Sequence, residues 1–351
     1  MPEASYVPMD DALEIMAAYG PDLANGLTSH GPMAAEALCA LDRPDAVLPW
    51  VERYRAGMLP RPPARERISR ERWRDALAQE PRFTDWAVFF TEELKEAPWG
   101  AVVERWVGRL APGICASATH GVIRVGHATR SLAESESPRR VRELADALAS
   151  WASTYQELPA SAGAHAHRMN PHAAIMEVSV VPPERRRFSG TITSSLDALN
   201  EFPAFGPVIE LLDVGGDPAT LVSELTDTFA RVYLANTHDM LTAIVFIHGV
   251  TSIAALGNIL PYLDDATRRA ALRFAWQSSC ALYATFGSQP APEKRIEPTD
   301  EDVASLVDRA VAHGDEHAIK FTEACLHQHA RHPSLAYLAA ARHALEVLPR
   351  G

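Results

Sequence analysis

Lysine is nearly absent from this sequence. Only three of its 33 cationic residues are lysines, namely Lys95, Lys294 and Lys320, and the rest are arginines. Lys95 and Lys294 lie in polar stretches rich in Glu and Pro, where we expect them to face solvent. Lys320 lies three residues after His317 in a helical pattern with apolar neighbours. Unlike arginine, a buried lysine can lose its proton, act as a base or form a carbamate with carbon dioxide. Lys320 is therefore a candidate functional residue, the alternative being a helix-edge lysine that extends its ammonium to solvent.

Cysteine is also scarce, and its spacing argues against a disulfide framework. The four cysteines, Cys39, Cys115, Cys280 and Cys325, are far apart and form no C-x-x-C pair. Each lies among small apolar residues, which predicts buried free thiols in a reducing compartment.

Features of nucleic-acid, membrane and secreted proteins are missing as well. The net charge of −12 argues against nucleic acid or an anionic membrane as a partner. The N-terminal residues show no basic segment followed by an apolar one, and His or Gly interrupts the apolar runs before they reach a membrane span. We therefore expect a cytoplasmic protein with no membrane or nucleic-acid partner; the sequence does not indicate its oligomeric state.

Familiar catalytic motifs are absent too. The sequence contains no G-x-G-x-x-G after a strand, no G-x-x-x-x-G-K-[ST], no G-x-S-x-G and no H-E-x-x-H. It thus lacks the signatures of a dinucleotide fold, a P-loop, a serine-hydrolase elbow and a zinc protease. Histidine, with fourteen copies, is the residue type that carries candidate chemistry.

Ala, Leu, Glu and Arg recur at three- and four-residue spacing, which predicts an all-α protein. Helices are expected at about 10–19, 32–42, 45–57, 69–79, 82–95, 99–109, 113–134, 138–156, 195–200, 218–235, 237–259, 264–286, 299–313, 315–331 and 334–347. The one strand-like stretch, 175–181, could form a hairpin with 188–193, but two strands do not make a sheet domain. We expect a single helical domain over 1–351, with 157–217 as an irregular insertion.

Two of the informative histidine segments lie in the first half of the chain. His30 directly precedes a helix, where a polar cap is the ordinary alternative to a functional role. His120 and Arg124 are one helical turn apart, and His127 lies two turns on, about 20° off the same face. With Arg130 they form a polar stripe on an apolar helix, which predicts a pocket wall, the alternative being a structural hydrogen-bond network.

Two further segments lie near the C-terminus. His248 follows a strongly apolar run and is expected to point into the protein. His238 and Asp239, at the start of the same predicted helix, are expected to cap it or to support a ligand from behind. His317 and Lys320 are neighbours on one helix face.

Neutral imidazole is a frequent metal ligand, suited to iron, zinc, copper or nickel. Four segments that each supply one buried histidine are explained jointly by one metal site. The alternative is four separate core histidines, each with its own hydrogen-bond partner.

Six segments resemble the questin oxidase-like family, and together they span most of the chain: 29–38, 49–54, 120–130, 143–148, 237–251 and 315–325. This family includes fungal enzymes that oxidatively open anthraquinone-type rings of aromatic polyketides. The resemblance implies a helical, non-haem iron oxygenase whose metal lies among histidines and a carboxylated lysine. Carried over by position, the implied ligands are His30, His120, His248, His317 and carboxylated Lys320.

The sequence departs from the fungal pattern at one place. The fungal enzymes have a pattern like H-x-L-I-H-L-G-[YF] where this chain has H-G-V-I-R-V-G-H at 120–127. Arg124 and His127 are the departing residues. They are expected to lie beside the metal and to bind a different, anionic substrate.

The expected function is that of an iron(II)-dependent oxygenase that uses dioxygen to oxidise, and to ring-cleave, an aromatic or quinonoid secondary metabolite. Arg124, His127 and Arg130 would orient the oxygens of a phenolate substrate, and an external NADPH-dependent reductase is a possible electron source. Three alternatives stay open: an NADPH-dependent Baeyer–Villiger-type monooxygenase, a zinc-type metal hydrolase, and a non-enzymatic helical binding protein.

Overall fold

Helix-forming segments separated by Pro- and Gly-containing connectors dominate the computed structural model, which describes residues 5–161, 168–188, 190–293, 295–298 and 301–351. Within these ranges the helices are α1 Met9–Met16, α2 Gly31–Ala40, α3 Pro44–Tyr54, α4 Phe83–Glu96, α5 Trp99–Leu110, α6 His120–Glu134, α7 Pro138–Ser153, α8 Pro171–Ala174, α9 Ile192–Ser195, α10 Pro218–Asn236, α11 Met240–Ile259, α12 Asp265–Phe286, α13 Val303–His313, α14 Glu316–Arg331 and α15 Leu335–Val347. The strands are β1 Tyr19–Leu23 and β2 Met58–Pro60. The all-α prediction is confirmed.

Most predicted helices agree with the structure to within a few residues, and three do not. The helix predicted for 195–200 is a 3₁₀ helix, Leu196–Glu201, which follows the short α9. The helix predicted for 69–79 is only a short 3₁₀ turn, Trp73–Ala76. The helix predicted for 113–134 begins at His120, because the three preceding residues have a left-handed backbone.

The strand predicted for 175–181 is wrong. Ile175 begins a 3₁₀ turn directly after α8, which Asn170 caps by accepting a hydrogen bond from the backbone N–H of Ala173. Ile175, Val178 and Val181 are the buried residues, a spacing of three rather than the two of a strand. The proposed partner segment 188–193 forms no hairpin in its described residues, and Ser189 lies outside them.

The two strands lie where the sequence predicted helix or connector. β1 and β2 pair antiparallel, with Tyr19 opposite Pro60 and Leu23 opposite Met58, and an irregularity lies between these pairs. This ribbon directly follows α1 in the chain and holds the segment before α2, because Ser29 N–H donates to the carbonyl of Pro21 at 2.6 Å.

Four helices form the frame around the candidate site. α2 packs against α6 and α14, and α11 packs against the same two helices, so the four contact one another in a ring. Each of the four informative histidine segments belongs to one helix of this ring. This packing decides which side chains meet.

Two glycines let α6 approach its neighbours closely. A Cβ on Gly126 would lie 2.3 Å from the carbonyl oxygen of Ala255 in α11, and one on Gly121 would lie 2.6 Å from Trp151 of α7. Neither approach is compatible with a larger residue. The small residues of the 120–130 segment therefore mark a tightly packed helix, as the sequence predicted.

α11 is more apolar than we expected from the sequence. By length and composition the segment Met240–Tyr262 could cross a membrane, with a mean hydropathy of 1.9, and 67% of its most apolar window is buried within the protein. The expectation that all apolar runs are too short is wrong for this segment. Packing against α6, α10, α12 and α14 accounts for its composition without a membrane.

The cysteine and lysine predictions have clear outcomes. All four cysteines are buried and free, as predicted. Lys95 is exposed, Lys294 lies outside the described residues, and Lys320 is only 2% exposed. Of the two lysines that the structure describes, the one singled out for function is therefore the buried one.

Candidate metal centre

The four histidines lie at particular places on the ring of helices. His30 is the residue before α2, His120 is the first residue of α6, and His317 is the second residue of α14. His248 lies in the middle of α11. Three helix N-termini thus converge on the side of a fourth helix.

The four imidazoles meet and form what we call the histidine cluster: His30, His120, His248 and His317. Nitrogens of His30, His120 and His317 lie within 4.8 Å of one another. The ring centroid of His120 is 4.4 Å from that of His30 and 4.7 Å from that of His248. None of the four residues is more than 8% exposed. The structure brings them together as the sequence predicted, while their role as ligands stays a prediction.

Two of the rings are held by main-chain carbonyls. His120 Nδ1 donates to the carbonyl of Ser117, and His248 Nδ1 donates to the carbonyl of Ile244 at 2.6 Å. Because a carbonyl only accepts, each Nδ1 carries the hydrogen and each Nε2 carries a lone pair. The two Nε2 atoms are 3.3 Å apart, so two acceptors face each other. A cation bound to both would remove this repulsion, and a carbonyl behind Nδ1 is the usual support of a metal-binding imidazole.

Burial keeps His30, His120 and His248 neutral. Burial and the nearby charge of Lys320 lower the pKa of His120 to about 3. Burial, reinforced by like charges in the cluster, lowers the pKa of His30 and of His248 well below its ordinary value. The positive ends of α2, α6 and α14 also disfavour a protonated ring. Neutral imidazole is the form that binds metals, so the donor set fits a metal ion.

Lys320 lies against the cluster. Its Nζ is 3.1 Å from His30 Nδ1. Burial lowers the pKa of Lys320 to about 8, although Glu316 and Asp315 act in the opposite direction. A lowered pKa populates the neutral amine, which is the form that reacts with carbon dioxide.

Two carboxylates lie on the side of the cluster nearest the start of α14. Glu316 Oε1 is 3.9 Å from Nδ1 of both His30 and His317. Asp315 Oδ1 is 3.7 Å from His317 Nδ1 and also caps the helix by accepting the backbone N–H groups of His317 and Ala318. The cluster therefore has anionic neighbours on this side.

A second buried polar group, here called the Glu36 network, consists of Tyr6, Glu36, His127, Arg130 and Glu323. Glu36 is fully buried and accepts from the Tyr6 hydroxyl at 2.5 Å, from His127 Nδ1 at 2.6 Å and from two guanidinium nitrogens of Arg130. Arg130 also donates to Glu323. Burial alone would raise the pKa of Glu36, but the charge of Arg130 and these hydrogen bonds hold it well below its usual range.

The comparisons with known proteins bear on this geometry. The family model described as questin oxidase-like matches residues 51–325, more than three quarters of the chain. The chain belongs to the questin oxidase-like family. No curated protein matches the sequence. The family's name denotes an oxidase, hence an oxidoreductase. The family match includes His120, His248, His317 and Lys320, whereas His30 and Glu36 precede it.

Within the questin oxidase-like framework, the arginines predicted to orient substrate are already paired. Arg124 donates from Nε and Nη2 to Glu143 at 2.7 and 2.9 Å. Arg130 is held by Glu36 and Glu323. A buried guanidinium requires a carboxylate partner, so neither arginine offers a free charge to an anionic substrate. Their contacts support the structural-network alternative that the sequence left open.

His127 and Arg130 nevertheless share a cavity with Lys320. This cavity, between α6, α11 and α14, has a volume of about 10 Å³. That is room for about one water molecule. The cavity itself does not hold an aromatic substrate, so substrate binding beside His127 requires one of its walls to move.

His238 and Asp239 are not near the cluster, and the prediction that they support a ligand from behind is wrong. Both are exposed, and Asp239 caps α11 through a reciprocal pair of bonds with Thr242. His248 lies nine residues further on, roughly 14 Å along the helix axis. The alternative that this pair caps the helix is the one the structure supports.

Two buried acids near the cluster, Glu36 and Glu323, were not predicted from the sequence. Glu36 occurs alone in the apolar run 33–39, and Glu323 follows Lys320 by three residues on the same helix. A lone carboxylate in such a run is a detectable signal of a buried partner. Tyr6 carries no such signal, because only the fold brings it to Glu36.

Proposed function

We propose that this protein is a non-haem iron oxygenase that uses dioxygen to oxidise an aromatic, quinonoid substrate and cleave its ring. The family supports the oxidase class, and questin oxidase-like proteins point to anthraquinone-type substrates. We further propose that the protein acts in the cytoplasm and that an external NADPH-dependent reductase supplies electrons where the reaction needs them.

The observation that carries the metal centre is the opposed pair of imidazole acceptors. Both Nδ1 atoms of His120 and His248 donate to main-chain carbonyls, so the two Nε2 lone pairs face each other at 3.3 Å. A proton between them is disfavoured because burial lowers the pKa of both rings. A metal ion bound there would satisfy both nitrogens at once.

His30 and His317 complete the imidazole set, and Lys320 supplies its charge. Three positive helix ends and a protonated lysine would oppose a bound cation. A carbamate on Lys320 replaces that positive charge with a negative one. It would also provide a hard oxygen ligand, which arginine cannot do.

The residues around the cluster would hold and shield the metal. Iron(II) bound there would supply redox chemistry with dioxygen. The carbonyls of Ser117 and Ile244 fix two ring orientations, and the apolar faces of α6 and α11 exclude water from the reacting centre. His127, with Nδ1 held by Glu36, keeps Nε2 available to accept a proton from a phenolic substrate.

Elemental analysis of protein purified without added metal tests this proposal. We expect about one iron per chain, because the proposed ligands surround a single metal ion. We also expect His120→Ala and His248→Ala to lose this iron. The exposed residue His332 provides the control, because His332→Ala should keep the metal.

Other outcomes select the other functions. Zinc in place of iron, with hydrolysis of an ester or amide, would favour a metal hydrolase. Retention of iron by His248→Ala would disprove the centre as drawn. No metal in the wild-type protein would favour a binding protein.

A further inference from the structure

Three consecutive residues directly before His120 have a left-handed backbone. Ser117, Ala118 and Thr119 have φ angles of 47°, 53° and 70°, and none of them is glycine. Single left-handed residues other than Gly, Asn or Asp are uncommon, and a β-branched one is an outlier. Three in a row are sustained only when the surroundings require the conformation.

Thr119 adds a second unfavourable feature. Its hydroxyl is buried and has no hydrogen-bond partner in the described part of the chain. A glycine at this position would relieve the backbone and remove the unpaired hydroxyl at once. The local sequence is therefore not the most stable one for this turn.

The left-handed turn directs one carbonyl at a cluster residue. The carbonyl of Ser117 accepts the backbone N–H of His120 at 3.2 Å and also the Nδ1–H of the same residue's ring. The left-handed turn thus pins both the backbone and the ring of His120 to a single acceptor.

The same turn is tied to the segment that carries His30. The Ser117 hydroxyl lies 2.9 Å from the hydroxyl of Thr28, two residues before His30. On its other side α6 is pressed against α7 at Gly121, which leaves the start of the helix little freedom to shift. The turn thus connects two imidazoles of the cluster that come from distant parts of the chain.

We propose that the turn 117–119 is a positioning device that trades stability for metal affinity. It holds the Nε2 of His120 toward the other imidazoles, and its non-glycine residues keep the turn from sampling other conformations. This inference rests on the proposed metal centre. Ser117, Ala118 and Thr119 act through His120 and do not themselves bind the metal.

The test separates stability from affinity by means of Ala118→Gly and Thr119→Gly. We expect each variant to melt at the wild-type temperature or about 1–2 °C above it in the metal-free form, because glycine accepts a positive φ. Titration with Co²⁺, followed by its visible absorption, should show affinity weakened by about tenfold to a hundredfold. The absorption bands should also shift, because the imidazole is no longer held in one orientation.

Ala78→Gly is the matched control. Ala78 has a φ of 58° and is exposed, so the variant should gain similar stability and bind Co²⁺ as the wild-type protein does. A loss of stability in Ala118→Gly would make the turn merely structural and overturn the inference. The inference would also be overturned if Ala118→Gly and Thr119→Gly bound Co²⁺ within about twofold of the affinity of Ala78→Gly. Loss of a contact that supports a ligand weakens metal affinity much more than twofold. A wild-type protein that takes up no Co²⁺ would instead refute the metal centre, and this inference with it.

Discussion

At the scale of single residues, burial acts in the same direction on Lys320 and on its neighbours His30 and His120. Each loses its ordinary affinity for a proton, because the charged form is separated from water. For the imidazoles this leaves nitrogen lone pairs. For the lysine it leaves a nucleophilic amine 3.1 Å from His30. The cluster is thus rich in neutral donors, with Asp315 and Glu316 as anionic neighbours at the start of α14.

Lys320→Arg should abolish iron binding even though it keeps a positive charge. Arginine cannot form the carbamate, and its guanidinium would repel the cation. Metal content by elemental analysis should fall about tenfold or more. This is at least the effect of removing a residue that supports a metal ligand. Lys320→Ala with added short carboxylate should recover part of the activity, and exposed Lys95→Arg should match the wild-type protein. An active, iron-loaded Lys320→Arg protein would remove the lysine from the mechanism.

His127→Ala should leave metal content unchanged but impair turnover. The loss of its bond to Glu36 should lower the free energy of unfolding by about 1–3 kcal/mol, because a buried carboxylate loses one donor. Urea unfolding and iron analysis on the same preparation separate the two effects. His343→Ala is the control, since it removes a histidine bonded to Tyr233 elsewhere. Loss of iron in His127→Ala would instead make His127 a ligand.

At the scale of elements, the contact between α6 and α11 sets the distance between His120 and His248. Gly126 permits this contact, because its Cα lies against the backbone of Ala255. The cluster therefore depends on a glycine that has no chemistry of its own.

Gly126→Ala should push α6 and α11 apart and weaken both folding and metal binding. The added methyl would meet a carbonyl oxygen at 2.3 Å, and overpacking of this kind costs about 1–3 kcal/mol. Gly108→Ala in α5 is the matched change, because its Cβ would make an ordinary contact of 3.5 Å with Thr267. That variant should gain about 0.5–1 kcal/mol as a helix-interior glycine is removed. Equal unfolding midpoints for the two variants would contradict the proposed contact.

At the scale of the whole molecule, the buried histidines make the metal-free protein sensitive to acid. The folded-state pKa values of His30, His120 and His248 lie below the ordinary value of 6.5. As pH falls below 6.5 the unfolded chain therefore binds protons first, and the equilibrium moves toward it. Above that pH both states are neutral and these groups contribute no pH dependence.

Stability of the metal-free protein should fall by about 1.4 kcal/mol per histidine for each pH unit below 6.5. Urea unfolding at several pH values between 7.5 and 5 measures the slope. His248→Leu should show a shallower slope, and His332→Ala, which removes an exposed histidine, is the control. A wild-type protein with the same stability at pH 7.5 and 5.5 would show that the cluster is not neutral in the folded state.

The sequence by itself determined the helices and the residues that enter the core. Helix signals are local, being set by three- and four-residue periodicity, caps and prolines, so α10, α12, α14 and α15 are predicted to within one residue. The same periodicity placed His248 and Lys320 inside, since each occurs in a buried apolar run. The resemblance then connected His30 with the other three histidines.

Only the tertiary structure decided which polar groups pair. Arg124 and Arg130 were predicted to bind substrate. In the fold, Arg124 instead pairs with Glu143 of α7, and Arg130 pairs with Glu36 and Glu323. The strand pair, the left-handed turn before His120 and the position of Tyr6 depend likewise on contacts between residues far apart in the chain. Periodicity reports which face of a helix is buried, whereas the partner of a buried charge is set by through-space packing that no local pattern records.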